Sequence, residues 1–131
     1  MAIADYDKAF QIDPNDAMIY FNRGNSYLLQ SIFERAIADY TTAIRLNPRY
    51  AKAYDNRGIA YRFTGDYERS IADHTKAIDI NPSLFDAYRN RAETYLRKDD
   101  IDNAIRDLRK ALEIDPSSSS TRNRLSTLRG A

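Results

Sequence analysis

Three polar triplets, Asn22-Arg23-Gly24, Asn56-Arg57-Gly58 and Asn90-Arg91-Ala92, recur at one fixed spacing. A carboxamide donates and accepts at once, so a row of asparagines suits the backbone of an extended peptide; it suits a hydrogen bond between helices equally well. Asparagine is a poorer helix former than alanine, so its return at one period suggests a use. Each arginine lies nearly midway between two aspartates of the series Asp5, Asp39, Asp73 and Asp107, slightly nearer the one that follows. That arrangement permits a ladder of ion pairs, within units or between them, and a periodic pair serves a stack better than any single ligand.

Enzyme chemistry finds little to work with. His74 is the one histidine, and it stands where other units carry Tyr6, Tyr40 and Leu108, which makes it a core or half-buried residue rather than a ligand or base. Asp73 beside it points about a quarter-turn away along a helix. No motif indicates a serine or cysteine nucleophile, so no triad is argued. With no cysteine and one histidine, a zinc site lacks its usual ligands, and no glycine-rich phosphate loop is present. The expectation is a protein without catalytic activity, metal or cofactor.

The elements that carry these residues are legible from one stretch, AIADYTTAIRLNP, from Ala36 to Pro48. It returns as AIADYDKAFQIDP, SIADHTKAIDINP and AIRDLRKALEIDP, ending at Pro14, Pro82 and Pro116. A fixed period in this range marks an array of stacked supersecondary units. Ala36, Ile37, Tyr40, Ala43 and Ile44 form one apolar stripe on a helix, and the proline ends it. A first helix precedes each of the last three copies, with Tyr20, Gly24, Tyr27 and Leu28 in one register and Tyr54, Gly58 and Tyr61 or Tyr88, Ala92 and Tyr95 in the next two. Turns fall at Ser31-Ile32, Gly65-Asp66 and Asp99-Asp100, and Gly65 suits a left-handed helix end. Small residues at Gly24, Ala36, Ala43 and their equivalents, including Ser70 and Ala92, allow close helix approach.

The chain therefore divides into a half unit at residues 1–16, three full units at 17–50, 51–84 and 85–118, and a closing polar, basic helix at 119–131. The half unit has a second helix without its first, so Ile3, Tyr6 and Phe10 await a partner, either missing upstream units or a second copy of the chain. Charge excludes one class of partner: 20 basic against 19 acidic residues generate no field favouring nucleic acid or an anionic membrane. No run is apolar enough to span a bilayer and no signal-peptide pattern opens the chain, which leaves the cytoplasm as the default location.

The period, the Tyr-Gly-Tyr first helix, the Ala-Tyr-Ala second helix and the closing proline resemble the tetratricopeptide repeat over nearly the whole chain. The resemblance implies an all-α, right-handed superhelical solenoid of antiparallel helix pairs, acting as a non-enzymatic module that binds a peptide or protein segment in a concave groove. Asn22, Asn56 and Asn90 would hold the ligand backbone there. Groove-facing positions by the same analogy include Phe21, Asn25, Leu28, Lys52, Asp55, Ile59, Arg62, Phe63 and Arg89, with Met18, Leu29, Asp86, Glu93, Leu96 and Arg97. These vary from unit to unit, and Phe21, Ile59 and Phe63 would offer an apolar pocket. One subgroup of the family grips acidic chaperone tails with a two-carboxylate clamp. Asn25 and Asn56 match its asparagines, but Phe21, Asp86 and Asn90 replace its cations, so that mode is not expected. Two alternatives remain: an assembly segment that self-associates through the unpaired N-terminal helix, and, more weakly, a helical-repeat RNA reader, against which Asp55, Asp86 and Glu93 speak.

Overall fold

A computed structural model describes residues 15–129. The half unit expected at 1–16, with Ile3, Tyr6 and Phe10, falls almost wholly outside the described residues. Within them the chain forms seven helices and no strand: α1 (Ala17–Leu29), α2 (Phe33–Leu46), α3 (Ala51–Phe63), α4 (Tyr67–Ile80), α5 (Phe85–Arg97), α6 (Ile101–Ile114) and α7 (Ser119–Leu128).

Each hairpin turn repeats one local solution. Ser31, Gly65 and Asp99 take left-handed φ values of 61°, 85° and 60°. The next residue, Ile32, Asp66 or Asp100, donates its amide back to the carbonyl of Tyr27, Tyr61 or Tyr95 at 2.9 Å. Ser31, Gly65 and Asp99 donate to Leu28, Arg62 and Leu96 at 3.0 Å, which completes a Schellman closure three times over. The following helix is capped by a side chain where an aspartate is present. Asp66 accepts from the Arg69 amide and Asp100 from the Asn103 amide, whereas Ile32 caps α2 with nothing.

The turn between units is equally regular. Asn47, Asn81 and Asp115 are extended, as residues before proline must be, and each side chain accepts an amide hydrogen from just beyond the proline, from Arg49, Ser83 and Ser117. Ser118 then accepts from the Thr121 amide and starts α7 at Ser119.

Every helix packs on its neighbours in sequence, and the first helices also touch one another across units, α1 with α3 and α3 with α5. A solenoid whose first helices form a continuous layer curves around that layer, so α1, α3 and α5 carry its concave face. The core between layers is a seam of small residues: Ala36, Ala43, Ala53, Ala60, Ala77, Ala87, Ala92, Ala104 and Ala111 are all fully buried. Close approach is tightest at Gly24 and Gly58, where an added Cβ would lie 2.8 Å from the Tyr40 ring and 2.7 Å from the His74 ring.

Candidate functional site

The arginine-aspartate ladder takes the forward register, each arginine to the aspartate that follows it, and lies within units. Arg23 forks onto Asp39 at 2.8 and 2.7 Å, Arg57 onto Asp73 at 2.8 and 2.8 Å, and Arg91 onto Asp107 at 2.8 and 2.7 Å. The three aspartates are buried. Burial lowers the pKa of Arg57 and Arg91, but the hydrogen bond and charge of their aspartates outweigh it and the net shift is upward. The free arm of each guanidinium reaches the preceding unit, Arg57 to Thr41 and Arg91 to Thr75, both at 3.1 Å. Each of these two forks thus fastens a hairpin internally and ties it to the one before.

Between successive first helices the asparagines build a second set of ties. Asn56 Nδ2 donates to Asn25 Oδ1 in the preceding unit at 2.8 Å, and the Tyr40 hydroxyl donates to the same oxygen at 2.6 Å. Burial drives the Tyr40 phenol well above its ordinary pKa; the Asn56 amide opposes this and the Asp39 charge adds to it. Asn90 Nδ2 donates to both oxygens of Asp55, at 3.4 and 3.3 Å, while His74 Nδ1 sits 2.7 Å from Asp55 Oδ1. His74 is fully buried and Asp55 is 4% exposed, so Asp55, read from sequence as a groove residue, lies beneath the surface as part of a polar core.

The other groove candidates divide by exposure. Phe21, Asn22, Asn25 and Leu28 on α1 are half-buried, as are Asn56, Ile59 and Arg62 on α3 and Asn90 on α5, while Lys52, Phe63 and Arg89 are exposed. Phe21 and Leu28 pack against the cluster of Tyr27, Ala36 and Tyr40. Ring contacts pair Phe21 with Tyr40 and Tyr50, at 5.9 and 4.8 Å, but they pair Phe63 with Phe33, stacked at 5.1 Å and 3°. The two phenylalanines therefore belong to different aromatic groups.

One grouping escaped the sequence reading. Arg124 of α7 forks onto Glu93 at 3.1 and 3.2 Å, the same reach along the chain as Asn56 to Asn25. The signal was available: Arg124 stands one period after Asn90, in the place of the recurring asparagine. Together with Arg62, Arg89 and Asn90, it lines a cavity of about 400 Å³ between α3, α5 and α7.

A concave layer of first helices, tied unit to unit by polar side chains, defines a solenoid of antiparallel helix pairs, a class whose work is holding other chains. The chain belongs to the tetratricopeptide repeat family. Tetratricopeptide repeat models match residues 17–50 and 85–118, and 39–72, and a TPR repeat model matches 1–31 and 60–99. Among solved structures, the Arabidopsis OM64 TPR domain is 26% identical with a TM-score of 0.84, over 87% of this chain and 94% of its own. MamA is 29% identical with a TM-score of 0.81, over 90% and 69%. The second TPR domain of human RPAP3, in complex with the HSP70 peptide SGPTIEEVD, is 27% identical with a TM-score of 0.81, over 86% and 94%. A comparison with the curated proteins finds no match. Among the described residues no helix is long and apolar enough to cross a membrane.

Proposed function

We propose that the chain is a protein-protein interaction module whose concave face holds an extended peptide or protein segment. The carrying observation is the state of the asparagine row. Asn56 and Asn90 each spend an amide hydrogen on the unit before, which fixes their planes, and among the described residues their side-chain carbonyl oxygens accept no hydrogen bond. A row of oriented acceptors one unit apart suits the amides of an extended backbone. Around it lie side chains that differ from unit to unit, Leu28 and Arg62 in one column, Leu29, Phe63 and Arg97 in another. Met18, Leu29 and Phe63 are 58%, 88% and 56% exposed on these same helices, where an apolar anchor of the ligand would find them. The peptide bound by the second TPR domain of human RPAP3 supports this use of the surface.

The two-carboxylate clamp is not the mode we infer. Phe21 is packed among tyrosine rings and Asn90 is bonded to Asp55, so neither supplies the cation a carboxylate needs. The test is selection of a random-peptide display library, followed by titration of the enriched peptide and of SGPTIEEVD. Asn56→Ala and Phe63→Ala should each weaken the enriched peptide by about 1 kcal/mol or more, with circular dichroism confirming the fold. SGPTIEEVD should bind far more weakly than that peptide. No enrichment, or binding indifferent to both substitutions, removes the groove reading; tight binding of SGPTIEEVD that persists in Arg62→Gln removes the argument about the clamp.

A further inference from the structure

Three arginines from three units meet at one place. Arg62 stands in the column of Leu28 and Leu96, Arg89 in the column of Phe21 and Asp55, and Arg124 in the column of Asn22, Asn56 and Asn90. The three arginines come from helices α3, α5 and α7 and line the same cavity, together with Asn90, the Glu93 carboxylate, Leu108 and the α7 residues Ser120 and Thr121. If the arginines were ordinary surface variation, they would have no reason to converge.

Their charge is incompletely answered. Arg124 has Glu93 as a forked partner, at 3.1 and 3.2 Å, while Arg89 lies over the Phe85 ring and, among the described residues, pairs with one carboxylate, the exposed Asp86, at 3.4 Å. Arg62 Nη1 is buried and finds no hydrogen-bond partner among the described residues. Burial lowers the pKa of Arg62; Glu93 and Asp55 act against that and Arg97 and Arg89 add to it, and the net shift is downward, the mark of a guanidinium short of counter-charge. A buried donor without an acceptor is costly to keep, and a planar fork of N–H groups matches the two oxygens of a carboxylate or the oxygens of a phosphate.

We propose that this cavity is an oxyanion subsite at the C-terminal end of the concave face, taking a carboxylate or phosphate group carried by the bound segment. Arg62 Nη1 supplies the desolvated donor and Arg89 a second cation at the mouth. Glu93 acts as an internal competitor that holds Arg124 and offsets its positive charge. The inference rests on the groove reading for the source of the anion, but the cavity itself is testable without any peptide.

The probes are glutarate and phenyl phosphate, titrated into the full chain while the arginine Nε–H resonances are followed by NMR. The Arg62 resonance should move saturably with both. Arg62→Gln should weaken binding by about tenfold or more, and Glu93→Gln, which releases Arg124, should strengthen it by about threefold. Arg106→Gln on α6 is the control for bulk ionic effects and should change nothing. Absence of a saturable shift at Arg62, or an equal effect of Arg62→Gln and Arg106→Gln, overturns the proposal. Tighter binding of phenyl phosphate than of glutarate makes a phosphorylated side chain the source, and the reverse makes it an acidic one. Saturable binding of these anions alongside a failed peptide selection leaves the subsite standing and removes the peptide groove.

Discussion

The second and third units share a backbone and differ at their centres. Both carry the arginine fork, and both donate an arginine arm to a threonine one unit back. Yet where the second unit packs His74 against Asp55 and Gly58, the third packs Leu108 against Ala92 and leaves Arg89 at the cavity mouth. The first unit offers a third answer, Tyr40 with Phe21 and Gly24. One slot accepts a phenol, an imidazole or an isobutyl group provided that its facing residue changes with it. The forks admit no such variation, because a buried guanidinium needs its carboxylate in every unit.

The comparison is broken most severely at the shared feature. Asp107→Ala should cost about 3 kcal/mol in urea unfolding, since it strands Arg91, whose side chain is 13% exposed. Asp39→Ala should cost less, because Arg23 is 21% exposed and water can replace part of the lost partner. At the variable slot, His74→Leu should cost about 2 kcal/mol, because the buried Asp55 loses its short contact with the imidazole and keeps only the longer bonds from Asn90. The double change His74→Leu with Asp55→Leu should recover more than half of that loss; if it recovers none, the slot does not tolerate exchange as argued.

The glycine beneath the slot gives effects of unequal origin. Gly58→Ala should destabilise by about 2 kcal/mol because the imidazole it meets is held by Asp55 and has little room to move. In the third unit the reverse substitution, Ala92→Gly, should cost about 1.5 kcal/mol, from lost helix propensity and a lost methyl contact in the Leu108 cluster. The smallest effect is a gain. Ile32→Asp supplies the cap that Asp66 and Asp100 give the other two units, and thermal unfolding should report about 1 kcal/mol of added stability.

Much of the architecture was legible because it rests on short-range physics. Pro48, Pro82 and Pro116 end helices by their own geometry, and the left-handed turns follow from positions 31, 65 and 99, where one glycine announced what Ser31 and Asp99 also do. The candidate site was less legible. Asn22, Asn56 and Asn90 were recognisable as a row with two possible uses, and Asn56 and Asn90 turn out to bond backward to Asn25 and Asp55. Asp55 looked like a surface acid until His74, on the next helix, was found against it.

By itself the sequence determined the period, the seven helices among the described residues, their boundaries to within about a turn, and the small residues that let them meet. Each of these depends on contacts between residues close in the chain, or on a stripe that returns one period later. Only the tertiary structure decided that Arg57 and Arg91 take the aspartate ahead of them rather than the one behind. It alone brought Arg62, Arg89 and Arg124 to one cavity. Those outcomes depend on how one unit rotates against the next, and that rotation is set by packing across the whole layer, which no single stretch of the chain encodes.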